Sequence, residues 1–426
     1  MAWIDSLLKR MIELEASDLH MSTSLKPRFR LHGDMVEIEE CPELSADQMR
    51  QVLFEITPEH NQKEFDRDHD TDFAYELPGE ARYRVNLFRD RRGLGGVFRL
   101  IPSEVLTAEQ LALPRTVLDL CYLSKGLVLV TGPTGSGKST TLAAMIDHIN
   151  KNRSDHIITI EDPIEFVHRE HKCLINQRET GSHTHGFKRA LRAALREDPD
   201  IVLVGEMRDL ETIEIAIETA ETGHLVLGTL HTTTAATTVD RIIDQFPADR
   251  QAQIRTMLST SLKGVIAQTL CKKLPTGRIA AIEVMIVNSA ISSQIREGKT
   301  HQITSAMQMG GKQGMRLLND ALGELVAAGL VAPKEAYIKA VDKEGFVNKL
   351  NSIGIELDLG SLRDPGLGGP GAAPPRGPAS GQPHANLGAL SSMGHEPSGP
   401  LPSQGAPRLT DAGYSDPFES YKQRRL

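Results

Sequence analysis

The sequence predicts an α/β protein, in which a mixed α/β domain precedes a second domain built on a largely parallel sheet. Three observations predict it. Strand-like runs in residues 1–113 are short, alternating and divided by glycine and proline. From about Val117 the runs become wholly apolar and alternate with helical stretches, as suits strands covered on both faces. The last stretch, residues 351–426, shifts to glycine, proline, alanine and serine.

The chain starts MAWIDSLLKRMIELEAS, with Trp3, Ile4, Leu7, Leu8, Met11, Ile12 and Leu14 at helical spacing and charges between them. That pattern predicts an amphipathic helix packing on its own domain, whereas a signal peptide needs an uninterrupted apolar stretch. Short strand-like segments follow at PRFRLHG and MVEIEE, then a helical stretch from Ser45 to Ile56. Longer strands are expected at DTDFAYEL, ARYRVNLFRD and LGGVFRLIP, divided by Pro78-Gly79 and by Gly93, Gly95 and Gly96. Pro102 and Pro114 bracket a connector, which closes the first domain at residue 113.

In residues 114–350 the runs GLVLVTG, HIITIE, DIVLVGE and HLVLGTL read as buried parallel strands. Between Arg363 and Arg408 branched apolar residues are nearly missing, so the segment cannot offset its ordering entropy and is expected to be disordered. The end, YSDPFESYKQRRL, reads as an inert tail end, with a docking peptide as the alternative.

Lys and Arg total 48 against 56 Asp and Glu, a net charge of -8, which argues against a nucleic-acid binder. No window approaches the roughly 18 apolar residues that span a bilayer, so a cytoplasmic protein, peripheral to membranes at most, is expected. Cys41, Cys121, Cys173 and Cys271 form no CxxC pair; free, buried thiols are expected rather than a zinc clip.

The strongest chemical signal is GLVLVTGPTGSGKST. An apolar strand enters Gly132-Pro133-Thr134-Gly135-Ser136-Gly137-Lys138-Ser139-Thr140, and TLAAMIDHIN continues as a helix. Such glycines let backbone N–H groups turn inward around phosphate oxygens, and the helix N-terminus adds partial positive charge. Lys138 is expected to reach the β- and γ-phosphates of ATP, and the Ser139 hydroxyl to ligate Mg2+.

Two further strands end in acids. Ile201–Val204 ends in Gly205-Glu206, where the carboxylate would hold Mg2+ through water or orient the attacking water; the alternative is a solvated residue opening the next helix. Glu161, at the end of HIITIE, is a second candidate base or water-positioner, and Asp162 a brace for the turn. His231, at the tip of GHLVLGTLHT with Thr229 on its face, is a candidate γ-phosphate sensor. His224 lies an odd number of residues away, faces the other side, and is read as bonding across a strand or subunit junction. Arg82 and Arg84 share one strand face, with Arg89, Arg91, Arg92 and Arg99 beyond. One of them could reach a neighbouring subunit's phosphate, since an arginine finger accelerates phosphoryl transfer by about 10³–10⁵.

Taken together, TIEDPIEF, LREDPDIVLVGEM and GHLVLGTLHT, in that order after the phosphate loop, resemble the Asp box, atypical Walker B segment and His box of the secretion-superfamily hexameric ATPases, the type II/IV secretion group. The match spans residues 1 to about 350. This resemblance implies a PAS-like N-terminal domain, a RecA-like ATPase domain and a homohexamer with ATP between the two domains. It also implies work at the cytoplasmic face of the inner membrane against a pilus platform protein. Within the family the chain is similar to the branch that retracts type IV pili in twitching motility: the first domain is short, a tetracysteine zinc motif is lacking, and AISSQIREGKTHQI resembles that branch's AIRNLIRE signature. Ser292, Ser293 and Gln294 depart from the signature. A pilus-assembly or type II secretion motor, or an accessory retraction paralogue, are the alternatives.

Overall fold

Alternation along the N-terminal strands produces an antiparallel sheet covered on one face. The computed structural model describes residues 2–31, 34–101 and 105–357. In it β1 (Asp18–Ser22), β2 (Arg28–Leu31), β3 (Asp34–Glu37), β4 (Asp70–Leu77), β5 (Ala81–Asp90) and β6 (Gly93–Ile101) form one sheet in the order β3-β2-β1-β6-β5-β4. Every neighbouring pair is antiparallel. Along β5, Tyr83, Val85 and Leu87 are buried while Arg82, Arg84 and Asn86 take the opposite face. The first helix, Trp3–Glu13, buries Trp3, Ile4, Leu7, Leu8 and Met11, and the Tyr83 hydroxyl donates to the Leu8 carbonyl at 2.8 Å. Each such leucine removed from water stabilises the fold by roughly 1.5–3 kcal/mol. Helix Ala46–Ile56 begins at a Ser45–Gln48 capping box, which places its start where the sequence did.

Seven strands build the second sheet: β7 (Gly126–Thr131), β8 (His156–Glu161), β9 (Leu174–Glu179), β10 (Ile201–Val204), β11 (Leu225–Leu230), β12 (Leu262–Lys272) and β13 (Arg278–Ile286). Their order is β13-β12-β7-β11-β10-β8-β9. All pairs are parallel except the β12–β13 hairpin. Every residue of β7, β10 and β11 is buried. Alternate residues of β7 feed opposite layers: Leu127 and Leu129 pack with Ile213 and Ala216, and Val128 and Val130 with Met145 and Ile146. Three closing helices, Leu318–Ala327, Pro333–Lys339 and Lys343–Ser352, gather a smaller core around Phe346 and Leu350.

Met1–Leu357 form one compact unit. The expected boundary at residues 113–114 falls between β6 and the helix Arg115–Leu120. Pro102 and the glycine- and proline-rich segment lie outside the described residues. All four cysteines are buried, and none forms a disulfide among the described residues. The AISSQIRE segment forms the helix Ser289–Arg296. Ile291 and Ile295 share its inner face and are fully buried in the core. Ser292 and Ser293 are satisfied locally, by the Ser259 carbonyl at 2.6 Å and the Glu297 carboxylate at 2.8 Å.

Candidate active site

In an open parallel sheet the carboxyl ends of the strands form the natural ligand-binding edge. β7 ends at Thr131 and turns through the glycine-rich loop into helix Lys138–Asn152. Gly132 has a φ of 149°, and a Cβ there would sit 2.3 Å from the Gln268 carbonyl and 2.5 Å from the Ser136 hydroxyl, so only glycine fits. The helix starts at Gly137 with no side-chain cap and no acid in its first turn. Its free N–H groups and dipole therefore suit an anion. The Ser136 hydroxyl, buried inside the loop, has no hydrogen-bond partner among the described residues. Pro133, Thr134 and Gly135 are exposed at the loop's crest.

Lys138 folds back over this loop. Its Nζ donates to the carbonyls of Gly132 at 2.9 Å and Pro133 at 3.3 Å, and lies 3.5 Å from His231 Nδ1. Burial lowers the Lys138 pKa, against the pull of Glu206 and Glu165. Among the described residues no carboxylate bonds this ammonium, which leaves its charge for an incoming anion.

Glu206 sits just past β10. Its Oε1 accepts from His231 Nε2 at 2.9 Å and from Arg208 Nε at 2.5 Å. Burial works to raise this carboxyl, but Arg208 and His231 outweigh it and hold it below the ordinary range. Lys138, His231, Glu206 and Arg208 thus form one continuous chain of polar contacts across three strand tips. The sequence-predicted lysine, histidine and Walker B carboxylate are brought together. His224, at the opposite end of β11, places Nδ1 3.1 Å from the Thr219 carbonyl, a local bond at a helix–strand junction.

Glu161 ends β8, the strand next to β10, whose Val204 pairs with Ile160. Its carboxylate shares a pocket of about 40 Å3 with Ser139, Phe166, His168 and Thr229. Burial pushes its pKa up, partly opposed by hydrogen bonds from Thr159 at 2.6 Å and Gln177 at 3.2 Å. Burial also holds His168 down to about 4, which keeps the imidazole beside it neutral. Among the described residues no group of three His, Cys, Asp or Glu could hold a metal by itself. Ser139 and Glu206 suit a Mg2+ ion that takes its other ligands from phosphate and water.

Arg82 and Arg84 do share the polar face of β5, yet neither adjoins its own chain's phosphate loop. Arg82 bonds Glu179 at 2.5 Å, and Arg84 lies 3.7 Å from Asp72. Arg84, Asp72, Asp162 and Arg208 line a cleft of about 820 Å3 between the two sheets.

Sequence reasoning missed several residues here. Gln268 clamps the phosphate loop: its Nε2 donates to the Ser136 carbonyl at 2.7 Å, and its Oε1 accepts from Thr141 at 2.9 Å. A lone amide inside the apolar run GVIAQTLC was the available signal. Gln177, Glu179 and Arg208 offered none, because their segments read as ordinary polar surface.

Residues 1–277 match the model of a family described as type II/IV secretion system protein. The type IV pilus retraction ATPase PilT of Pseudomonas aeruginosa is 53% identical over 343 residues, covering 80% of this chain and 99% of the relative. A twitching motility protein of Neisseria gonorrhoeae is 51% identical, covering 75% of this chain and 86% of its own. The fold also matches a crystal structure of the pilus retraction motor PilT with bound ADP, with a TM-score of 0.75, 44% identity and coverage of 80% and 97%.

Proposed function

The chain belongs to the family of type II/IV secretion system proteins, and from that premise we propose that it is an ATP-hydrolysing motor that retracts type IV pili. The observation that carries the reading is the convergence of Lys138, Ser139, Glu161, Glu206 and His231 on one glycine-rich loop at the carboxyl edge of the sheet. Similarity to a retraction ATPase over nearly its whole length supports the direction of work.

Gly132 to Thr140 wrap the ATP phosphates, and Lys138 leaves its carbonyls for the β- and γ-phosphates. Ser139, and Glu206 through water, would hold a Mg2+ ion, which would supply positive charge against the phosphates. Glu161, raised by burial, orients the attacking water and takes its proton. His231 trades its bond to Glu206 for the γ-phosphate and so reports whether that phosphate is present. A cation for the developing charge comes from a neighbouring subunit's N-terminal sheet. Of the candidates Arg82 and Arg84, we take Arg84, which faces the open cleft.

These roles need a ring, which we propose is a homohexamer acting on an inner-membrane pilus platform. No described helix is long and apolar enough to cross a membrane; the platform would meet the ring at the cytoplasmic face of the inner membrane. Deleting the gene tests the reading: retraction predicts cells with excess surface pili and no twitching. Cells without pili would instead identify an assembly motor, and cells with normal pili and twitching an accessory paralogue.

A further inference from the structure

β9, the polar edge strand, and Thr180 just after it hold Glu161, which ends β8, and the loop that follows it at three points. The Thr180 N–H donates to the Glu161 carbonyl at 2.9 Å, the Ile164 N–H to the Glu179 carboxylate at 3.0 Å, and the His168 N–H to Gln177 Oε1 at 2.9 Å. Glu179 stands directly beside Glu161 in the parallel register of β8 and β9. It is only 3% exposed, and its other oxygen accepts from the Ser182 hydroxyl at 3.0 Å. The same Oε2 that holds Ile164 also accepts from Arg82, which comes from the N-terminal sheet.

One buried oxygen therefore carries both an amide of the Glu161 loop and a cation from the other sheet. A buried carboxylate that loses its cation bears an uncompensated charge and must rearrange its remaining donors. Moving the N-terminal sheet far enough to withdraw Arg82 would leave Glu179 with Ile164 and Ser182 alone. We propose that the Arg82–Glu179 pair is an intrachain joint through which the position of the N-terminal sheet sets the loop that follows Glu161, and with it the placement of that carboxylate. Glu179 is then a positioning residue, and Arg82 serves its own subunit rather than a neighbour's phosphate. The inference rests on the reading of Glu161 as the water-orienting carboxylate.

The test uses the full-length protein and steady-state ATP turnover. Arg82→Gln and Glu179→Gln should each lower kcat roughly tenfold, with KM for ATP changed less than about twofold. The double variant should be no worse than either single one, and Arg82→Lys should recover most of the rate. Additive losses, or wild-type kcat in either single variant, would overturn the joint. So would a loss that tracks a lowered melting temperature and that Arg82→Lys does not relieve. Mixing Arg82→Gln with Lys138→Ala subunits should give no recovery, because the joint acts in cis; recovery would assign Arg82 to the neighbouring site and refute the proposal. Glu161→Gln separates the two levels. Full turnover in that variant would fault the site assignment, whereas an inactive Glu161→Gln beside wild-type joint variants would fault the joint alone.

Discussion

The two sheets place their polar side chains differently. In the seven-stranded sheet they stand at strand tips: Glu161 ends β8, Glu206 follows β10, and His231 follows β11. In the six-stranded sheet they run along a strand face, with Arg82, Arg84 and Asn86 on successive outward positions of β5. Tips of strands buried on both faces are fixed by packing on either side, so their geometry is set to the precision of a core. A strand face opposite a single core is free to meet whatever comes against it. The difference teaches a division of labour: the parallel sheet holds the reacting groups in register, and the antiparallel sheet presents charges that another surface can engage or release.

The comparison breaks outright if the strand tips prove dispensable. Lys138→Ala should reduce phosphate release to background, since the phosphates lose the cation that reaches them. Arg84→Ala, altering the free face instead, should cost on the order of 10³ in turnover if it acts as a finger. Its mixture with Lys138→Ala subunits should regain activity, because some interfaces pair an intact loop with an intact arginine; activity falling only with dilution would confine Arg84 to its own chain. Glu206→Gln should keep ATP affinity within a few-fold while turnover drops roughly 100-fold or more, as measured by nucleotide binding and phosphate release on the same preparation. Stability sharpens the contrast at the small end. Leu129→Ala, inside β7, should cost roughly 2–5 kcal/mol. Met35→Ala, 41% exposed on the edge strand β3, should change the denaturation midpoint by little, within about 0.5 kcal/mol.

Where the chain's local chemistry and its final environment agree, the sequence could be read. The strands at residues 126–131, 156–161, 201–204 and 225–230 are buried on both faces and look it, and the glycine-rich loop could be placed between strand and helix. Legibility failed where tertiary context supplies the environment. LINQRE is polar because β9 has only one neighbour, so nothing in it announces a strand. Its Gln177 and Glu179 matter through partners far away in sequence, which no local pattern encodes. Ile291 and Ile295 stand at helical spacing, but that spacing alone cannot say which side of the helix the core occupies. Arg82 and Arg84 were placed correctly on one face, yet only the folded chain shows that one is tied down and the other stands at a cleft.

The Gln268 clamp has a consequence for dissecting the protein. The amide that steadies the phosphate loop belongs to β12, and β13 pairs with β12 from Gly264 to Lys272. A chain cut after Gly277, where the match to the family model ends, would keep every recognised nucleotide motif and the clamp as well. It would also turn β12 into a bare edge of mostly buried, apolar residues. Such an edge is a template for intermolecular pairing. A minimal ATPase drawn from motif boundaries alone would therefore be expected to fail by self-association before its chemistry could be assayed.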